Sequence, residues 1–341
     1  MEAAADVAGE AHILIGVNGT PRDYSLDRLR ELGKKLNAEP LLDGHPLCVY
    51  ATGSFGRLEA WAGSDIDLFF LYDGADESQR IPWTTFVRLS ARLIETTEEM
   101  GFPPFSGDGR YLEVLYVSEM EQVLGSPRDD SLNAFTARML LLLESQPLHD
   151  EAVYESLLKR IIGFYFRDFD DHEEDFLPIF LLNDILRFWR TLTLNYEHHR
   201  LKLLPLTGEE LELKKADSAL KNYKLKVSRL ATCFSMVSNL SAMPEPVTAE
   251  QVFGLCRVTP SERFERLRTK GEEAAALVDE LATVYAEFLE QVQRPEADLL
   301  AEFGDSDNRK LALQHASRYG DLIFELLDTV TPPERMRFLV I

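Results

Sequence analysis

Two aspartates, Asp65 and Asp67, stand one residue apart at the head of an apolar run, Leu68-Phe69-Phe70-Leu71. On an extended chain residues i and i+2 share a face, so both carboxylates project together while Ile66 turns into the core. Upstream, Leu47-Cys48-Val49-Tyr50-Ala51 runs into Gly53-Ser54 and then Gly56. Glycines let a backbone approach a ligand closely, and free N–H groups at a helix start favour phosphate. Paired carboxylates beside such a cradle suit Mg²⁺, which takes one or two carboxylates and completes its octahedron with water and phosphate oxygens. With a second ion, the pair can activate a hydroxyl and stabilise a pyrophosphate leaving group in an in-line displacement. The best candidate for a third acid is Glu113, in the β-type run Leu112-Glu113-Val114. Arg57, just after the glycine turn, is a candidate phosphate contact.

The spacing of these residues resembles a known signature. Gly-Ser, a spacer of ten residues and Asp-x-Asp entering a strand is similar to the pattern of the DNA polymerase β-type nucleotidyltransferase superfamily. The string GSFGRLEAWAGSDIDLFFL, residues 53–71, most resembles the bacterial branch that contains the signalling-protein uridylyltransferases. The resemblance implies a small mixed sheet with flanking helices, Mg²⁺ (two ions), an NTP donor such as ATP, and transfer of NMP to a hydroxyl acceptor. By motif position, Gly53 and Ser54 would meet the triphosphate, Asp65 and Asp67 would hold the metal ions, and Glu113 would be the third acid. The commoner third acid is Asp rather than Glu.

The elements that must position these residues are legible from periodicity. Leu26, Leu29, Leu32 and Leu36 give helical spacing over 24–38, and strands are expected at 47–51, 66–72 and 111–117, with a helix over 84–100. A short helix is expected to start at about Phe55–Trp61. Strands and helices alternate to about residue 125. Beyond that the pattern is helical almost throughout, with prolines at the breaks. The expected fold is α+β: a nucleotidyltransferase domain over 1–145, then an all-helical substrate-binding domain over 146–341. The Leu-rich stretch 138–143 could pack on either half.

The helical half carries two softer signals. Asn183, Arg187, Arg190 and Leu194 fall at i, i+4, i+7 and i+11, so Arg187 and Arg190 share a face of one helix. Lys214, Lys215, Lys221, Lys224, Lys226 and Arg229 surround the single acid Asp217. Arg187, Arg190, Lys221 and Lys224 are therefore candidates to meet nucleotide phosphates across a cleft; surface ion pairs and a solvated helix face are the bland alternatives. Arg309 and His315 match the loose spacing of small helical ribonuclease domains, a pattern that a charged helix produces by chance.

Charge narrows the partners. With 36 Lys+Arg against 58 Asp+Glu the net charge is −22, which argues against a long nucleic-acid track and against an anionic membrane surface. The expected partners are a free NTP and a protein or small-molecule acceptor. Three widely spaced cysteines without a Cys-x-x-Cys pair, and no secretory leader pattern, fit a cytoplasmic protein. Two other classes share parts of this pattern. A metal-dependent glycosyltransferase also uses Asp-x-Asp, but the Gly-Ser turn and the spacing favour nucleotidyl transfer. A regulatory module would use the same fold to sense nucleotide or pair with a partner.

Overall fold

Thr20 opens the first helix by accepting the Asp23 amide while the Asp23 carboxylate takes the Thr20 amide, a reciprocal cap followed at once by Pro21. The computed structural model describes residues 20–73, 80–105, 109 and 112–340. Helix α1 (Pro21–Asn37) leads into β1 (Leu47–Thr52), the four-residue α2 (Gly53–Gly56), β2 (Asp67–Tyr72), α3 (Trp83–Glu99) and β3 (Val114–Tyr116). Then come α4 (Val117–Val123), α5 (Pro127–Ser131), α6 (Ala134–Leu143) and β4 (Gln146–His149).

The rest is helical: α7 (Glu151–Gly163), α8 (Ile179–Leu201), α9 (Gly208–Lys224), a π-helical turn (Leu225–Arg229), α10 (Leu230–Ala242), α11 (Ala249–Cys256), α12 (Pro260–Arg266), α13 (Glu272–Val292), α14 (Glu296–Gly304), α15 (Ser306–Val330) and α16 (Pro333–Val340). The expected α+β architecture is what the chain adopts: a small mixed sheet, then helices. Between α12 and α13 the chain breaks at Gly271, whose φ of +139° no helix accommodates. None of the described helices is long and apolar enough to cross a membrane.

The sheet order is β3-β2-β1-β4, with β2 and β3 parallel and the other pairs antiparallel. β4 was not expected, because Gln-Pro-Leu-His lacks the branched and aromatic run of a strand. It is an edge strand, where Pro147 is tolerated. It begins one residue past the expected division at 145.

One face of the sheet, with Val49, Ala51, Leu68 and Phe70, packs on Leu29, Leu32, Leu89 and Leu93 of α1 and α3. The other face, with Tyr50 and Leu71, belongs to a core that continues through α6, α7, α8, α10 and α11. Helix α6 is buried from Ala134 to Leu143 except at Thr136, so the Leu-rich stretch packs on both halves at once. The expected division falls inside this shared core. A third core joins α9, α10, α13, α14 and α15.

Close packing at α2 is tested by adding one carbon. A Cβ on Gly56 would lie 2.0 Å from the Glu144 carbonyl oxygen, whereas one on Gly163 meets nothing within 4 Å. Gly56→Ala is expected to lower stability by ~3 kcal/mol or more. Gly163→Ala, at the end of α7, should raise it by ~0.5 kcal/mol. Paired denaturant titrations check both signs.

Candidate functional site

The two signals separated in sequence meet at one end of the sheet. Thr52 and Asp67 are partners in the last rung between β1 and β2, and α2 starts at the next residue, Gly53. Gly53 has φ +67°, and a Cβ there would sit 2.9 Å from Asp67 Oδ2. Only glycine gives both the left-handed backbone and the clearance. Asp65 and Asp67 keep solvent-accessible surface while Ile66 and Leu68 are buried, the alternation expected of an extended segment. The half-buried Ser54 hydroxyl has no partner among the described residues.

Arg57 does something other than expected. On a helix, residues i and i+2 do not face each other, but α2 ends at Gly56. Leu58 then takes a left-handed φ of +59° and folds Glu59 back onto Arg57. Arg57 Nε donates to Glu59 Oε2 at 2.8 Å, and its Nη1 to Glu144 Oε2 at 2.7 Å. With its side chain 9% exposed, it braces the turn from beneath rather than reaching outward for phosphate.

Glu144, fully buried, also pairs with Arg229 and accepts the Thr232 hydroxyl at 2.9 Å. Glu59 in turn accepts the Tyr285 hydroxyl of α13 at 2.8 Å. Sequence reasoning missed Glu59, Glu144, Thr232 and Tyr285. The available signal was Glu144 itself: a lone acid ending the run Met-Leu-Leu-Leu-Leu must find partners if it is buried.

From the helical half, the end of α9 and the π-turn bring positive charge near these carboxylates. Burial lowers the Lys224 ammonium from its usual value, and the carboxylate of Asp65, then those of Glu296 and Asp217, oppose that shift. The Asp67 carboxyl is raised, first by burial and then by the charge of Asp65, against the pull of Arg229 and Arg57. Both residues keep exposed surface, yet their charged ends lie where protein atoms crowd.

The other candidates lie elsewhere or have partners. Lys221 is exposed and paired with Asp217 at 2.8 Å. Arg187 joins Asp130 at 2.7 Å and Asp184 at 3.4 Å, beside the buried Arg138–Asp129 pair, with its guanidinium over the Phe135 ring. Helical periodicity identified the face of Arg187 but not the acids of α5 opposite it. Arg190 is exposed and makes no ion pair among the described residues.

Glu113 is exposed, just ahead of β3. The register Phe70↔Val114, carried back one step, sets it beside Phe69 rather than Asp67. No three His, Cys, Asp or Glu side chains that could hold a metal ion come together among the described residues, so Asp65 and Asp67 stand as a pair. Arg309 donates to the carbonyls of Phe303 and Gly304, and His315 bonds Tyr223 at 2.9 Å and Glu287 at 3.2 Å. Both belong to the packing of the helical half.

The structure sets Gly53-Ser54 at the end of β1 and Asp67 at the start of the neighbouring β2, as the motif's resemblance implies. Residues 9–110 match the family model described as Putative nucleotidyltransferase DUF294, consistent with the superfamily that the motif resembles. The match spans Gly53, Ser54, Arg57, Asp65 and Asp67 and ends before Glu113 and the helical half. No curated protein and no solved structure matches the chain.

The raised Asp67 carboxyl has a consequence for stability. Folded Asp67 holds its proton more tightly than in the unfolded chain. Its contribution is therefore favourable at low pH and is lost as pH rises from the ordinary carboxylate range through the raised value. In metal-free buffer at neutral pH, Asp67→Asn should melt above the wild type, with the difference shrinking as the buffer is acidified into that window. Thermal melts across pH 3–8, at about unit intervals, check it.

Proposed function

We propose that the protein is a Mg²⁺-dependent nucleotidyltransferase that moves NMP from an NTP to a hydroxyl of a protein or small-molecule acceptor and releases pyrophosphate. The observation that carries this reading is the meeting of Gly53 with Asp67 across the last rung of β1 and β2. The family match supports nucleotidyl transfer in general.

A donor set of two carboxylates beside the glycine turn fits a hard divalent cation, and Asp65 and Asp67 would hold it. Bound there, the ion supplies positive charge to phosphate oxygens and to the departing pyrophosphate. The chain's own groups do the rest. The Ser54 hydroxyl is free to donate to a phosphate oxygen. Lys224 contributes charge from the opposite wall, and the braced turn keeps the cradle from moving as charge develops. The acceptor oxygen bonds to the α-phosphorus, the bond to the bridging oxygen breaks, and the acceptor proton leaves to solvent. Catalysis is positioning and charge stabilisation without a protein nucleophile. The reading rests on the Asp65–Asp67 pair and needs no contribution from Glu113.

The acidity of the chain supports a free NTP with a compact acceptor over a long nucleic acid. The test is incubation with each α-labelled NTP and Mg²⁺ in cell extract, comparing wild type with Asp65→Ala/Asp67→Ala. Label should move to an acceptor with the wild type, and both label and pyrophosphate release should fall at least ~100-fold in the double variant or on chelation, the scale of losing ~3 kcal/mol of charge stabilisation. Equal labelling by both forms would overturn the mechanism. Tight NTP binding without pyrophosphate release would favour nucleotide sensing instead.

A further inference from the structure

Between α9 and α10 the chain makes a single π-helical turn, Leu225–Arg229, instead of continuing the α-helix. Such turns are uncommon and gather at functional sites. Their geometric effect here is specific. In an α-helix, residues five apart point ~140° away from each other, which would aim Lys224 and Arg229 at different neighbours. The i→i+5 closure of the π-turn narrows that angle. Lys224 acts on Asp65, and Arg229 on Asp67.

Arg229 is tied to the site by contacts as well as by charge. It pairs with Glu144, whose other oxygen holds Arg57 at 2.7 Å. The Glu144 carbonyl also lies so close to Gly56 that no Cβ would fit. Glu144 thus connects Arg229 to the same four-residue turn whose first glycine abuts Asp67. The three side chains differ in what they can reach. Glu144 has no exposed surface and Arg57 very little, while the Arg229 side chain is 29% exposed.

We infer that Arg229, presented beside Lys224 by the π-turn, binds the anionic polyphosphate chain of the donor, and that Glu144 is the positioning residue that aims it. This rests on the nucleotidyltransferase reading and deepens it by moving the arginine contact from Arg57 to the helical half. Arg57, locked between Glu59 and Glu144, holds the frame. In use, the exposed part of the Arg229 side chain meets the ligand while its ion pair with Glu144 stays in place, so the ligand adds contacts without unpairing a buried acid.

The test is calorimetric titration of the full chain with Mg²⁺ and inorganic tripolyphosphate, a probe without a base or sugar. Arg229→Ala should weaken binding at least tenfold. That change alone leaves Glu144 short of a partner and endangers folding, so the deciding variant is Arg229→Ala/Glu144→Gln, which removes both charges. If Arg229 binds the ligand, affinity stays at least tenfold low in the folded double variant. If Arg229 only neutralises Glu144, the double variant regains wild-type affinity, and the inference fails. Glu144→Gln alone should weaken binding about three- to tenfold while retaining the arginine; unchanged affinity there would overturn the positioning role. Wild type that binds no tripolyphosphate but does bind and turn over an NTP overturns this inference alone. Wild type that binds neither overturns the functional reading with it.

Discussion

A fully buried carboxylate at the end of an apolar helix is the constraint around which this molecule is organised. Glu144 follows Leu140-Leu141-Leu142-Leu143 and has no exposed surface. Stripped of water, its charge costs several kcal/mol unless partners replace the lost hydration. The partners come from three directions: Arg57 from the glycine turn, Arg229 from the π-turn and Thr232 from α10. No local stretch of chain could supply all three. The glycine turn, the sheet and the helical half must therefore dock together for Glu144 to be satisfied. The same docking fixes Gly56 against the Glu144 backbone and, four residues earlier, the rung that joins Thr52 to Asp67.

Two further straps work on the same principle. Tyr285 reaches from α13 to Glu59, so the far end of the chain also holds the segment after the glycine turn. In the shared core, Arg138 is fully buried yet donates two bonds to Asp129, one to Asp184 and one to the Tyr165 hydroxyl. That arrangement saturates most of a guanidinium fork with fixed geometry. It joins α5, α6 and α8, elements that sequence reading would assign to both sides of a division. The continuous apolar core and these ion networks make the two halves one packed unit in which the cleft is a seam.

What was legible in the sequence was what is local. Gly53, Ser54, Asp65 and Asp67 lie in one short stretch, and the period-two alternation around Ile66 already stated which way the carboxylates point. That the chain beyond residue 125 is mostly helical followed from apolar spacing and proline breaks. What was not legible depended on backbone exceptions and on distant partners. A helical reading of 55–61 kept Arg57 and Glu59 apart, because the left-handed Leu58 that joins them has no residue-type signature. Glu113 falls one residue ahead of β3 rather than inside a strand over 111–117, because the parallel pairing begins only at Phe70↔Val114. Arg187 shared the expected face with Arg190, yet its shortest bond is to Asp130, 57 positions away, and periodicity carries no such information. The π-turn defeated period counting directly, since one turn wider than the rest shifts the face of every residue after it.

The distribution of charge explains why the seam matters for binding. Residues 1–150 hold 12 basic and 25 acidic residues, and the carboxylates of the candidate metal site belong to that half. The cation nearest to them in sequence, Arg57, is occupied by Glu59 and Glu144. Left to itself, the sheet half offers an anionic ligand two carboxylates and a spent guanidinium. Positive charge has to be lent by the helical half, and Lys224 and Arg229 are where it arrives. Within the ion-paired brace, Glu59 and Glu144 oppose Arg57 and Arg229, two against two, so the unpaired negative charge is that of Asp65 and Asp67. A divalent cation would offset that pair, so metal and polyanion would each favour the other's binding. A site built this way is complete only with its halves docked, and Glu144, shared by the brace and the cation wall, is the group whose burial enforces that docking.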